Sequence, residues 1–153
     1  MSETVRRTCR DRVGDERELR VALLEDLRAQ VRFSFHVWLL IDPETQVGAA
    51  PLATVPEALA ADLPAVIRAR YATALNRWAA MSTSVESLDR ATDGRRETSH
   101  LHREVLGPHG IGDVASISFR DPNGCWGFLD LWRSADDPRF SDRELAALGA
   151  DAD

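Results

Sequence analysis

The residue with the clearest chemical requirement is Asp130, which stands between Phe128 and Trp132 in a run of alternating side chains. A carboxylate in a half-buried strand is costly unless a cation or hydrogen-bond donors face it. We therefore expect Asp130 to form a structural ion pair, with an anchor for a bound ligand as the alternative. The side chains that could meet this requirement are His36, Arg68 and Arg70.

Aromatic and small polar side chains accompany this carboxylate in a pattern that favours a small-molecule pocket. Ring faces would supply contact area, and an indole N–H or a phenol O–H would give direction. The alternative is that the rings only pack the core and that the histidine among these residues is buried with hydrogen-bond partners. The candidate ligand-binding residues are His36, Trp38, Tyr71, Trp78, Ser116, Ser118, Trp126, Phe128 and Asp130.

Other reactive residue types do not complete a catalytic or metal site. The two cysteines, Cys9 and Cys125, are too few for a disulfide framework or a four-ligand zinc site. Apolar and neutral neighbours favour Cys125 as buried filler over a redox thiol. His100 and His102 lie two residues apart and would point to different sides of a helix. Since nucleophile-elbow and phosphate-loop motifs are also missing, we expect no enzyme, and any cofactor stays unknown.

The bulk composition predicts one globular, cytoplasmic domain. The 153 residues suit a single core, and 44% hydrophobic with 29% charged residues is an ordinary globular balance. A net charge of −6 disfavours direct DNA binding, because duplex DNA attracts a concentrated positive face. The charged N-terminal segment has no apolar signal core, and the apolar runs are too short to cross a membrane.

The first half of the chain predicts helices around a central strand. Asp15 and Glu18 have the spacing of a capping box ahead of leucines at helical intervals. Residues 33–41 read as a strand covered on both faces, and residues 46–52 as a weaker partner strand. A second helix starts near Asp62, with an apolar stripe that continues through Tyr71 to Trp78. The arginines beside this stripe, Arg70 and Arg77, are expected on a solvated face, with contact to an anionic ligand or partner as the alternative.

The second half predicts a hairpin and a terminal helix. Residues 113–120 and 125–133 flank the turn Asp-Pro-Asn-Gly, in which Asn-Gly tolerates positive φ. A three-residue loop would place Asp121 opposite Cys125. The strand pairs would then be Phe119 with Gly127, Ile117 with Leu129, and Ala115 with Leu131.

Ser141 and Glu144 repeat the capping-box spacing before the last helix.

The element order and several local sequences resemble the GAF-like N-terminal sensory region of actinobacterial LuxR-type regulators. The resemblance covers residues 15–153, and the hairpin carries most of its specificity. The segments concerned are 37–43 (VWLLIDP), Gly48 with 51–53 (PLA), 70–71 (RY), 76–78 (NRW), 119–121 (FRD) and 124–133 (GCWGFLDLWR).

The resemblance implies an α+β fold, in which a GAF-like antiparallel sheet carries the N- and C-terminal helices on one face and ligand-side helices on the other. From the residues themselves we expect a flexible arm at residues 1–14 and one sensory domain at 15–153, whose last helix is cut short by the chain end. A helix-turn-helix is expected only in a separate C-terminal domain, so DNA would be bound there and not by this chain. The expected partners are an unidentified small molecule and a second copy of the chain, without a membrane.

Two other functions stay open at this stage. The first is a ligand-free protein-interaction module, whose signature would be mutual contact of Tyr71, Trp126 and Phe128 without a cavity. The second is a cysteine-dependent redox enzyme on the same scaffold, which would need Cys9 as the resolving thiol for Cys125. A sensor that signals through its end helices in a homodimer is the interpretation we favour.

Overall fold

The computed structural model describes residues 15–45 and 47–152, and for residues 151 and 152 it describes the backbone alone. The flexible arm expected at residues 1–14 lies outside the described residues. The main elements are α1 (Glu16–Gln30), β1 (Phe35–Ile41), β2 (Gly48–Thr54), α2 (Glu57–Ala60), α3 (Leu63–Ala72), β3 (Val85–Ser87), α4 (Leu88–Ala91), β4 (Ile111–Asp121), β5 (Gly124–Ser134) and α5 (Asp142–Ala152). Single helical turns occupy Trp78–Ala80, Arg96–Thr98, His102–Leu106 and Gly107–His109.

The strands form one antiparallel sheet in the order β2-β1-β5-β4-β3, which confirms the α+β fold class. Side chains alternate across it and build two cores. On the end-helix face, Leu129 and Leu131 of β5 pack with leucines of α1 and α5. On the α3 face, Phe128 and Trp132 of the same strand pack with α3 and the turns that follow it. The central strands are therefore buried on both sides, as their continuous apolar sequences predict.

The β4–β5 hairpin confirms the three predicted strand pairs but closes differently. Asp121 pairs with Gly124, so the loop has two residues and not three. The carboxylate of Asp121 accepts the N–H groups of Asn123 at 2.7 Å and Gly124 at 3.1 Å, which fixes this tight turn. The register is restored because Trp126 is skipped as a bulge between the pairs Arg120–Cys125 and Phe119–Gly127.

The second predicted helix ends earlier than its apolar stripe suggested. α3 stops at Ala72, and Thr73 is extended, with its hydroxyl donating to the carbonyl of Leu75 at 3.3 Å. Asn76 then adopts a positive φ of 48°, which reverses the chain. Trp78 therefore lies on a separate 3-10 turn and not on α3.

The predicted helix starts at Asp15 and Ser141 are confirmed. Asp15 caps α1 by accepting the N–H of Arg17 at 2.8 Å. Ser141 and Glu144 form the reciprocal capping box of α5, with bonds of 2.8 and 3.3 Å between backbone N–H groups and side-chain oxygens. The buried guanidinium of Arg133 also binds the Glu144 carboxylate, which ties the start of α5 to the sheet.

The two end helices lie together on one face, and their described side chains form no continuous exposed apolar strip. Among the described side chains of α1 and α5, Val21 is the one large hydrophobic residue that is exposed, at 40%. Leu145 and Leu148 of α5 are instead buried against the sheet. No helix within the described ranges has both the length and the apolar character needed to cross a membrane.

Candidate functional site

The α3 face is centred on a buried ion pair between Arg70 and Asp130, which are 3% and 1% exposed. The Nε of Arg70 donates to Asp130 Oδ2 at 2.8 Å, and its Nη2 donates to Oδ1 at 3.1 Å. The indole N–H of Trp78 also donates to Oδ1, at 2.8 Å. The predicted structural ion pair is confirmed, and Arg70 is its cation. The expectation that Arg70 lies on a solvated face is wrong, because α3 turns this side chain onto the sheet.

Arg70 makes two further hydrogen bonds to other segments. Nη1 donates to the carbonyl of Asn76 at 2.6 Å, and Nη2 donates to the hydroxyl of Ser116 at 2.7 Å. The amide of Asn76 donates to the same hydroxyl at 3.1 Å. These bonds join α3, the turn at residues 76–78, β4 and β5. A charge pair so deeply buried needs several well-placed hydrogen bonds, which these segments supply.

Three aromatic rings close the space beside the ion pair. Trp78 stacks on Phe128 with ring centroids 5.4 Å apart, and Tyr71 meets both rings edge-on at 5.5 and 6.4 Å. The guanidinium of Arg70 lies 5.0 Å from the centroid of Trp78. Trp78 and Phe128 are both 0% exposed, so these rings pack against each other and leave no pocket between them.

The structure therefore brings together five of the nine predicted site residues, namely Tyr71, Trp78, Ser116, Phe128 and Asp130. Ser118 lies on the same face but outside this cluster. Its hydroxyl contacts the carbonyl of Thr83 at 3.5 Å and accepts the Nε–H of Arg120 at 3.3 Å. The signature of a ligand-free module is met in part, since Tyr71 contacts Phe128.

His36 and Trp38 do not belong to this cluster, which corrects the prediction. β1 pairs Trp38 with Leu129 and His36 with Leu131, and both leucines face the end helices. Trp38 accordingly stacks on Phe119 at 5.3 Å. The sequence could not decide this, because β1 is apolar on both parities and only pairing with β5 assigns its faces.

Trp126 is likewise excluded from the cluster, because the bulge turns it outward to 46% exposure. The hydrogen bond from the Trp126 side chain to the Asp121 carboxylate is the main reason why the pKa of Asp121 is lowered. The same bulge directs Cys125 into the α3-face core.

His36 is a buried histidine whose environment disfavours its charge. Desolvation, assisted by the nearby positive charge of Arg28, lowers the pKa of His36 to about 4. Its ring meets Phe33 edge-on at 6.4 Å, and its Nδ1 has no hydrogen-bond partner. The prediction that this histidine is buried is confirmed, but the prediction that it has hydrogen-bond partners fails for Nδ1.

A cavity of about 320 Å³ that is open to solvent lies on the outer side of α3, and its wall residues Ala72, Ala74, Thr98 and His100 are exposed. Its walls come from residues 69–75, at the end of α3 and just beyond, and from residues 98–105. Alanines at 69, 72 and 74 leave much of the space. Sequence reasoning missed this cavity because alanine, serine and threonine carry no chemical signature there. The one available signal was the run of small residues interrupting the apolar stripe.

The described residues offer little for metal or thiol chemistry. No three His, Cys, Asp or Glu side chains among residues 15–45 and 47–152 converge as metal ligands would. Cys125 is 1% exposed, and its Sγ lies 3.7 Å from the carbonyl oxygen of Gly127. Burial raises the pKa of the Tyr71 hydroxyl, and the electrostatic effect of the nearby Cys125 thiol raises it further. Cys9 lies outside the described residues.

Solved structures that share this fold include proteins of different kinds. A GAF domain/HD domain protein from Geobacter sulfurreducens is 17% identical, with a TM-score of 0.53 over 92% of this chain and 89% of that chain. Escherichia coli SdiA, solved in complex with octanoyl-rac-glycerol, is 16% identical, with a TM-score of 0.63 over 97% of this chain and 61% of that chain. The chromophore-binding domain of Stigmatella aurantiaca bacteriophytochrome is 17% identical, with a TM-score of 0.56 over 98% and 56% of the two chains.

These likenesses show a GAF-like fold. The chain spans less than two thirds of the SdiA and bacteriophytochrome chains that it resembles. The sequence matches no family model, and it matches no curated protein.

Replacing Asp130 with Asn should lower the free energy of unfolding by about 3 kcal/mol, because the buried guanidinium of Arg70 loses its counter-charge. The double variant Arg70→Met, Asp130→Leu should recover more than half of that loss, since both charges are then gone. Urea denaturation followed by tryptophan fluorescence measures both changes. Asp136→Asn, at an exposed carboxylate, is the matched control, and a loss no larger than the control's would show that the pair does not stabilise the fold.

His36 should make the fold sensitive to mild acid. Its folded pKa of about 4 lies below the ordinary value of 6.5, so the unfolded chain binds the proton first. Stability should fall as the pH drops from about 6.5 towards about 4, by about 2–3 kcal/mol. His36→Gln should remove this slope, whereas His100→Gln, at an exposed histidine, should keep it. Urea denaturation from pH 7.5 to 4 tests this, and parallel curves for wild type and His36→Gln would contradict it.

Proposed function

We propose that this chain is a small-molecule-sensing regulatory domain of a LuxR-family transcriptional regulator. The observation that carries the proposal is a GAF-like fold with a cavity of about 320 Å³ beside α3. The structural likeness to SdiA, a LuxR-type protein, supports the regulatory context. SdiA was solved with octanoyl-rac-glycerol, so this fold has room for a small ligand in at least that protein.

The position of α3 provides a path from the cavity to the sheet. Ala69 and Ala72 line the cavity, while Arg70, between them in sequence, holds Asp130 of β5. The neighbours of Asp130 on β5, Leu129 and Leu131, pack on the opposite face with the end helices. A ligand that shifts the last turn of α3 would therefore act on β5 and through it on α1 and α5.

The domain would act as a cytoplasmic homodimer and bind DNA only through a separate domain. The net charge of −6 does not favour DNA binding by this chain itself. We propose no catalytic role. A redox function is the weakest alternative, because Cys125 is buried at 1% exposure and is not accessible to a substrate.

A ligand-free interaction module is the second candidate. The observation that favours it is the packing of Tyr71, Trp78 and Phe128, which fills the sheet side of the α3 face. The exposed indole of Trp126 would then contribute to a contact surface. The cavity on the outer side of α3 favours the sensor over this alternative.

Native mass spectrometry of the purified full chain should reveal a retained small molecule. The native mass per chain should exceed the denatured mass by a constant amount. Ala72→Leu, which places a larger side chain in the cavity wall, should reduce this extra mass, whereas Ala29→Leu on the exposed side of α1 should not. A clean unliganded species after expression, with no molecule in the extract, would favour the interaction module.

The dimer should depend on the exposed apolar residue of α1. Val21→Arg should convert the dimer to a monomer at micromolar concentration, because a desolvated guanidinium would have no partner there. Val47→Arg is the matched control, since Val47 is exposed at 63% on the β1–β2 turn and outside the end helices. Sedimentation velocity measures both variants, and a wild-type chain that is strictly monomeric would contradict the dimer.

A further inference from the structure

We infer that the cavity beside α3 binds an uncharged, largely apolar molecule of about ten non-hydrogen atoms, and that Ser99 donates a hydrogen bond to its single acceptor group. This inference deepens the proposed function and rests on it. It specifies a ligand class and a position on the outer side of α3, separate from the sheet side that the aromatic cluster fills.

The cavity walls select against charge. Alanine methyl groups and the side chains of Leu75, Leu101 and Val105 make most of the surface. No Arg, Lys, Asp or Glu lines the cavity. The one titratable group at the wall is His100, an exposed ring whose Nδ1 lies 3.2 Å from a guanidinium nitrogen of Arg103. A charged ligand would lose part of its hydration without gaining a counter-charge from the wall, so an uncharged molecule is favoured.

The hydroxyl groups of the wall leave one donor free. The hydroxyl of Thr73 donates to the carbonyl of Leu75 at 3.3 Å, and that of Thr98 donates to the carbonyl of Arg95 at 2.8 Å. Ser99 instead accepts the backbone N–H of His102 at 3.3 Å. The described residues place no acceptor within hydrogen-bonding distance of its own hydrogen. Because Ser99 is only 2% exposed, a ligand carbonyl or ether oxygen would satisfy this donor.

The volume sets the size of the ligand. About 320 Å³ is near the lower end of small-molecule sites, which run from roughly 300 to 1,000 Å³. At roughly 30 Å³ for each water in the liquid, the space holds about ten waters. A medium-chain ester or amide therefore fits, whereas a nucleotide or a tetrapyrrole does not.

The test compares methyl octanoate with two charged probes of the same chain length, octanoate and octylammonium, by isothermal titration calorimetry on the full chain. Methyl octanoate should bind at least tenfold more tightly than either ion. Ala72→Leu should weaken its binding at least tenfold by filling the cavity. Ala29→Leu, the same change on the exposed side of α1, should alter it less than twofold, and circular dichroism checks that both variants fold.

Ser99→Ala isolates the hydrogen bond. It should weaken methyl octanoate roughly threefold to tenfold, the range of one neutral hydrogen bond. It should leave ethylbenzene, an apolar probe without a comparable acceptor, within twofold of wild type. Equal losses for both probes would overturn the role of Ser99.

The remaining outcomes separate this inference from the proposed function. Tighter binding of an ion, or unchanged binding in Ala72→Leu, would overturn the ligand class and position. If native mass spectrometry then still showed a retained molecule, the sensor would stand with a different ligand. If no probe bound and no molecule were retained, both would fail.

Discussion

The ion pair between Arg70 and Asp130 is the interaction on which the α3 face depends. Removing two charges from water costs several kcal/mol for each ion, and only complete hydrogen bonding repays that cost. Here the carboxylate receives three donors, and the guanidinium also reaches Asn76 and Ser116. Because these partners come from separate segments, their geometry fixes α3, the following turn, β4 and β5 relative to one another. The stacked rings of Trp78 and Phe128 can be fully buried because the indole N–H ends on the same carboxylate.

This arrangement also decides which side of α3 has open space. The space between α3 and the sheet is occupied by side chains that are bonded or stacked to each other, so opening it would break the ion pair. The outer side of α3 has no such constraint, since small residues there leave a cavity without disturbing the core. The last turn of α3 therefore has a rigid side, which carries Arg70 and Tyr71, and an open side, which carries Ala69 and Ala72. A ligand on the open side would act on the rigid side through the same backbone.

The sequence predicted the fold class, the sheet pairing around Phe119 and Gly127, and the ion pair of Asp130, because each rests on a local rule of turn chemistry, alternation or charge burial. It could not predict which face of β1 carries Trp38, since both parities are apolar and tertiary pairing decides. Nor could it predict the bulge at Trp126, which exchanges the faces of two neighbouring residues while preserving the register beyond them. Trp78 was assigned to the correct cluster for the wrong reason, because helical spacing placed it on α3 and the positive φ of Asn76 brings it there from another turn.

The attachment of α5 limits what kind of signal the domain could transmit. At its start, Arg133 holds Glu144 and the carbonyls of Arg32, Pro138 and Arg139, and the buried Asp113 accepts the N–H of Phe140. Burial would raise the pKa of Glu144, yet the bonds from Arg133 and Ser141 lower it to about 2, so this anchor stays ionised near neutral pH. Beyond its anchored start, α5 packs on the sheet through the apolar side chains of Leu145 and Leu148. Apolar contacts permit sliding where directional bonds do not, so a displacement of β5 would pivot α5 about its anchored start and move its far end the most.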